Sequence, residues 1–163
     1  MLDLLNKAID ISMSNLLIPF EGYAIELPNG DCTAYADPAT KAEPYTIGYG
    51  STYDEFGIKV KLGDVWTKEK AVRVKESVTR SFAMRVLHHS PNLINYPYKF
   101  AAIISFCYNV GTGSYRISTL KKRINQEDWE GAAIEIRKWD RANGKKMRGL
   151  TLRRLAESKF LSK

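Results

Sequence analysis

Three stretches of contrasting hydrophobic and polar pattern divide the chain. Residues 1–21, MLDLLNKAIDISMSNLLIPFE, form an apolar run interrupted by Asp3, Lys7 and Asp10, which predicts a helix ending at Glu21. Pro19 lies just before that end, and its missing N–H predicts a stop or a kink there. Residues 22–63 are cut into short alternating pieces by Gly22, Gly30, Gly48, Gly50, Gly57 and Gly63 and by Pro28, Pro38 and Pro44. That punctuation predicts a small antiparallel β lobe, with Ile58, Val60 and Leu62 sharing one face at period two. Residues 64–163 carry helical spacing throughout.

Within this last stretch, Thr67 is placed to cap a helix whose inner face holds Ala71, Val74, Val78 and Phe82, and Ser90-Pro91 ends it. Pro97 can occupy the first turn of the next helix, YKFAAIISFCYNVG, which is apolar on most sides and closed by Gly111. Such a helix belongs at the centre of a bundle. Asn125 followed by Asp128 predicts the cap of a helix carrying Trp129, Ala132, Ala133, Ile136 and Trp139, with Asn143-Gly144 closing it. A last helix over 149–160 is expected to turn Leu152, Leu155, Ala156 and Phe160 inward and to leave Arg153, Arg154 and Lys159 to solvent. The pattern as a whole predicts an α+β chain, a small antiparallel β lobe and a larger helical lobe within one domain spanning 1–163.

Composition narrows what such a chain does. Of its 163 residues 44% are hydrophobic, enough for a core of its own. No apolar run reaches the roughly 18 residues of a membrane-crossing helix, so stable membrane insertion is not expected. Cys32 and Cys107 are read as free thiols without metal-ligand neighbours. Histidine is confined to His88 and His89, which leaves little material for a histidine metal site or a Ser/His/Asp triad. No metal and no cofactor is expected, and carboxylates are the natural catalysts. The net charge of +7 favours an acidic polymer, a nucleic acid or an anionic lipid as partner.

Glycosidic hydrolysis needs one carboxyl group to protonate the leaving oxygen and a second to activate water or attack the sugar. Glu21 stands where an apolar helix gives way to Gly22, a half-buried setting that helps an acid keep its proton. Asp37, in AYADP, stands in a polar turn that suits an ionised carboxylate. Glu-Gly at a helix end and Asp-Pro in a turn are also ordinary structural signals, so spacing alone leaves both readings open.

The residues around this pair resemble the lysozymes of tailed bacteriophages. The resemblance runs through FEG at 20–22, AYADP at 34–38, YTIGYGST at 45–52, ISFCYNVGTGSYRISTL at 104–120, INQEDWEGAAIEIRKW at 124–139, ANGKK at 142–146 and RGLTLRRLAE at 148–157. It implies a lysozyme-like fold with a cleft between the lobes, and hydrolysis of the β-1,4 bond between N-acetylmuramic acid and N-acetylglucosamine in peptidoglycan. Glu21 then corresponds to the general acid, while Asp37 and Thr46 hold or activate water or support a glycosyl intermediate. Tyr49 either contacts a sugar or packs into the lobe, and Asn109 either lies near Glu21 or makes a local cap. Arg148 or Lys145 approaches the Glu21 carboxyl or serves the surface.

The same resemblance implies a monomeric endolysin. It is made in the host cytoplasm, reaches the wall in the periplasm through a holin pore, and needs no nucleic acid. The pattern departs from the family in two places. Fifteen residues lie between Glu21 and Asp37 and eight between Asp37 and Thr46, more than in many relatives, so Asp31 competes with Asp37 for the second carboxylate. Ser51 stands where the family often has His. Two other classes remain, a wall-binding relative without catalysis and a basic nucleic-acid-binding protein suggested by KKR at 121–123.

Overall fold

A computed structural model of the chain describes residues 1–36, 38 and 40–163. In chain order the elements are α1 (Leu2–Ser12), a π-helical turn (Met13–Leu17), α2 (Ile18–Glu21), β1 (Cys32–Thr33), β2 (Val65–Trp66), α3 (Lys68–His89) and a 3-10 turn (Pro91–Asn95). They continue with α4 (Pro97–Val110), α5 (Thr112–Arg116), α6 (Thr119–Asn125), α7 (Trp129–Arg137), β3 (Arg141–Ala142), β4 (Lys145–Lys146) and α8 (Arg148–Leu161). The chain divides into two compact units. One is helical, Met1–Leu17 with Thr79–Lys163; the other, Ile18–Val78, contains the β structure. The widened π turn immediately precedes Pro19, which has no N–H to return to a carbonyl one turn back.

In the helical unit α4 is the central element. It packs against α1 and α8, and α7 packs against α6 and α8. Pro97 opens α4, Gly111 closes it at φ 87°, and every residue from Lys99 to Cys107 is buried. Cys107 is a free thiol, and burial pushes its pKa up. Thr67 caps α3 by accepting from the Lys70 amide at 3.1 Å. The buried row of α3 runs Ala71, Lys75, Thr79 and Ala83 at four-residue steps. It contains two polar residues that an apolar count passes over, and Val78 is 38% exposed, against the expectation that placed it inside.

Three further expectations are corrected in this unit. The cap of α7 is Asp128, whose Oδ1 accepts from the Gly131 amide at 2.9 Å, whereas Asn125 ends α6 and donates to the His89 carbonyl at 3.1 Å. Asn143-Gly144 does not close α7, which ends at Arg137. It forms the two-residue turn of the β3–β4 hairpin, both residues having positive φ, at 50° and 75°.

The third correction concerns α8, where Leu152, Leu155, Arg153 and Arg154 exchange places relative to expectation while Lys159 is exposed as expected. Leu152 and Leu155 are 50% and 40% exposed, while Arg153, Arg154, Glu157, Ser158 and Leu161 are buried. The reason lies on α4. The Ser105 hydroxyl donates to Glu157 Oε1 at 2.7 Å, and Arg154 Nη2 donates to the same oxygen at 3.3 Å and to Asn109 Oδ1 at 2.8 Å. Arg154 Nε lies 3.0 Å from Glu157 Oε2, an ion pair by distance without hydrogen-bond alignment. The Arg154 guanidinium also covers the Phe106 ring at 4.9 Å. Burial pushes the Glu157 carboxyl up and the Arg154 guanidinium down, each opposed by the other's charge.

The β unit has a core of Cys32, Ala34, Ile47, Tyr49, Val60, Trp66, Ala71 and Val74. β1 pairs antiparallel with β2, Cys32 opposite Trp66, and isolated bridges join Ala24 to Gly48, Tyr35 to Thr46 and Tyr53 to Lys59. The expected strand through Ile58, Val60 and Leu62 does not form as an alternating face. Val60 alone of the three is buried, and Ile58 and Leu62 are 59% and 64% exposed. Two aspartate turns break the alternation. Asp54 Oδ1 accepts from the Phe56 and Ile58 amides, both at 2.9 Å, and Asp64 Oδ2 accepts from the Lys61 amide at 2.8 Å.

Glu157→Leu strands the Arg154 charge in the interior and is expected to cost about 3–5 kcal/mol. Arg154→Leu combined with Glu157→Leu is expected to recover at least half of that loss, as measured by urea unfolding of the three proteins.

Candidate active site

Glu21 is the last residue of α2, where the Gly22 amide donates to the Ile18 carbonyl at 3.0 Å. Gly22 then takes φ +70°, a conformation open to glycine at little cost, and turns the chain out of the helix. Two residues on, the Ala24 amide donates to the Gly48 carbonyl at 3.2 Å and so ties the segment after Glu21 to the Gly48–Gly50 turn. That turn is closed by Ile47 and Ser51, whose amides and carbonyls exchange bonds of 2.9 and 3.0 Å. Its tightness follows from the glycines. A Cβ on Gly48 would stand 2.8 Å from the Ala71 Cβ of α3, and one on Gly50 would stand 3.5 Å from Glu21 Oε2. The half-buried Glu21 carboxylate thus lies against bare backbone, an arrangement that leaves room for a bulky group to approach.

Thr46 opens the same hairpin and is held in register by Tyr35. The Tyr35 amide donates to the Thr46 carbonyl and the Thr46 amide to the Tyr35 carbonyl, each at 2.9 Å. A β-branched side chain on a doubly bonded strand residue has few rotamers, so its hydroxyl is placed with little entropy left to lose. Asp37 lies outside the described residues. Asp31, its competitor, sits in the Leu27–Asp31 turn, with Oδ2 accepting from Asn29 Nδ2 and its amide donating to Asn29 Oδ1, both at 3.0 Å.

Tyr49 is 4% exposed, its ring centroid is 5.0 Å from that of Tyr23, and its carbonyl accepts from Lys75 Nζ at 3.0 Å. Of the two roles open to it, packing into the lobe matches this burial. Tyr23 donates its hydroxyl to the Gly30 carbonyl at 2.9 Å, and burial pushes its pKa up. Asn109, Arg148 and Lys145 belong to the helical unit. Asn109 accepts from Arg154, and Arg148 and Lys145 are exposed at the start of α8 and on β4. Among the described residues no group of three or more His, Cys, Asp or Glu side chains is placed to hold a metal ion.

Two contributors to this geometry escaped the sequence reading, Tyr35 as the partner of Thr46 and Lys75 as the anchor of the turn. Four-residue spacing along α3 was the available signal for Lys75. Pairing across the loop left no local signal for Tyr35. Gly48→Ala places a side chain at positive φ against α3 and is expected to cost about 1–3 kcal/mol. Gly50→Ala, strained but less crowded, is expected to cost about 1–2 kcal/mol. Chemical denaturation of both variants checks the order.

A model of the phage lysozyme family matches residues 28–157, a segment that includes Thr46 and Tyr49 and starts after Glu21. The chain is 31% identical over 161 residues to the SAR-endolysin of Enterobacteria phage PA-2, covering 94% of this chain and 92% of that protein. It is 33% identical over 146 residues to the endolysin of Bacillus phage B103, covering 88% of this chain and 49% of that longer protein. Among solved structures, the endolysin from Escherichia coli O157:H7 phage FAHEc1 superposes with a TM-score of 0.71 at 28% identity, over 95% of this chain and 90% of that one. A family model that matches residues 28–157, with a relative 31% identical over most of both chains, makes this protein a member of the phage lysozyme family.

Proposed function

We propose that the protein is an endolysin that hydrolyses peptidoglycan as an N-acetylmuramidase, cutting the β-1,4 bond between N-acetylmuramic acid and N-acetylglucosamine. The observation that carries the chemistry is the Glu21 carboxylate, half buried at the end of α2 with the bare Gly50 backbone beside it. Membership in the phage lysozyme family and similarity to phage endolysins support peptidoglycan as the substrate.

In this reading Glu21 is the general acid. It donates its proton to the glycosidic oxygen as the bond to the leaving sugar breaks, and positive charge develops on the sugar left behind. Thr46, fixed by its two backbone bonds to Tyr35, both donates and accepts hydrogen bonds and orients the attacking water. Asp37 supplies the second carboxylate. The Asp31 carboxylate is engaged by Asn29, which favours Asp37 over it for that role. The glycine turn admits the sugar, and the protein works as a monomer that reaches the wall through a holin pore.

Glu21→Gln keeps shape and hydrogen bonding but cannot supply the proton. It is expected to lower the release of new reducing ends from purified peptidoglycan by at least a factor of about 100, with an unchanged circular dichroism spectrum. Retention of most activity would remove Glu21 from the role of acid. Asp37→Asn and Asp31→Asn, assayed side by side, identify the second carboxylate. Asp37→Asn is expected to be inactive and Asp31→Asn to retain activity. Product analysis that finds anhydro sugars or free peptides in place of reducing ends would replace the muramidase reading with another wall-lytic chemistry.

A further inference from the structure

The charge of the chain is divided unevenly. Residues Ile18–Val78 hold 7 Lys and Arg against 10 Asp and Glu, a net of −3, while the helical unit holds 18 against 8, a net of +10. Within the helical unit the turn between α5 and α6 combines cations with the most exposed of the unit's large apolar side chains after Met1. The turn between α5 and α6 presents Ile117, 80% exposed, with Arg116 beside it and Lys121 and Lys122 in the first turn of α6. His88 and His89, at the end of α3, adjoin the same place. Asn125 of α6 donates to the His89 carbonyl at 3.1 Å. Burial first, and then the charges of His88, Lys121 and Arg116, pull His89 below the ordinary imidazole range, as expected where cations crowd together. Among the described residues none of these five basic side chains has an ion pair with a carboxylate, whereas their neighbour Arg123 has one, with Asp128 at 2.9 Å.

The outward position of Ile117 is built in. Tyr115, two residues before it, and Leu120, three residues after it, are both fully buried. Tyr115 shares a 2.7 Å hydrogen bond with the Ser90 hydroxyl, and the Ser118 hydroxyl donates to the Tyr115 carbonyl at 2.7 Å and accepts from the Lys121 amide at 3.0 Å. With both sides of the turn pinned, Ile117 cannot fold inward. An exposed isoleucine in a turn with cations on both sides in sequence matches the surface of an anionic bilayer, in which phosphates meet the cations and the apolar side chain enters between headgroups.

We propose that the α5–α6 turn is a docking surface for membranes containing anionic phospholipid, formed by residues other than those proposed for catalysis. It would hold the protein at the bilayer beside its substrate. The exposed apolar tip favours a lipid surface over a nucleic acid, which offers phosphates but no apolar layer along its backbone.

The test is sedimentation of the purified full-length chain with vesicles of phosphatidylethanolamine and phosphatidylglycerol, and with vesicles of phosphatidylcholine alone. Binding is expected on the anionic vesicles, weakened by salt, and absent on the neutral ones. Arg116→Gln with Lys121→Gln and Lys122→Gln is expected to lower binding at least about tenfold, and Ile117→Ser to lower it severalfold. Arg141→Gln with Lys145→Gln and Lys146→Gln makes the same change of charge on the β3–β4 hairpin and is expected to bind as the unaltered chain does. Release of reducing ends from membrane-free peptidoglycan is expected to be unchanged in the α5–α6 variants, which shows that they are folded.

Equal losses in the two triple variants would overturn the proposal in favour of diffuse charge attraction. An unaffected Ile117→Ser variant, together with displacement from vesicles by duplex DNA at equal phosphate, would overturn it in favour of a general polyanion site. Failure of the muramidase reading would show separately, as absence of reducing ends in every protein tested.

Discussion

The helical unit depends on one buried ionic arrangement, the Arg154–Glu157 pair of α8 set against Ser105 and Asn109 of α4. A charge taken out of water needs its partners in place, since one left unmatched costs far more than an ordinary contact returns. That requirement selects the face of α8 that turns inward and its rotation against α4, and it leaves Leu152 and Leu155 at the surface. Because α4 also carries the packing of α1, the orientation of α8 is fixed on the same element that centres the rest of the unit.

The β unit rests on a different constraint, the close approach of backbone where side chains are missing. Gly48 fits against Ala71 with no room for a Cβ, Gly50 leaves bare chain beside Glu21, and Lys75 reaches from α3 to bind the Tyr49 carbonyl between them. The unit has few regular strand residues. Its shape comes instead from single bridges, aspartate turns and glycines at positive φ, a construction that suits presenting a few polar groups on a short scaffold. The proposed acid and the proposed water-orienting threonine both belong to it.

The distribution of charge adds a second theme. The unit that holds Glu21 has a net charge of −3 and the helical unit one of +10. The α5–α6 turn and the β3–β4 hairpin both present part of this excess, and the apolar side chain at the first, Ile117, is 80% exposed against 47% for Met147 at the end of the second.

Much of this was legible before any coordinates. The helices that became α3, α4, α7 and α8, the Thr67 cap, Pro97 and Gly111 at the ends of α4, and Glu21 at a helix terminus before glycine all follow from local rules acting within a few residues, whereas α5, α6 and the β3–β4 hairpin did not. Motif order over most of the chain carried the family. The local rules failed where a partner distant in sequence decided the outcome. Leu152 and Arg154 exchanged inside for outside because Ser105 and Asn109 satisfy the charge. Lys75 was buried because a carbonyl on the hairpin accepts a hydrogen bond from it, and the 58–62 stretch lost its alternation to aspartate turns closing on backbone amides. The sequence by itself determined which residue types were available and which short segments would be helix or turn. Tertiary structure alone decided which polar groups could be buried, because only a fold brings donor and acceptor together away from water.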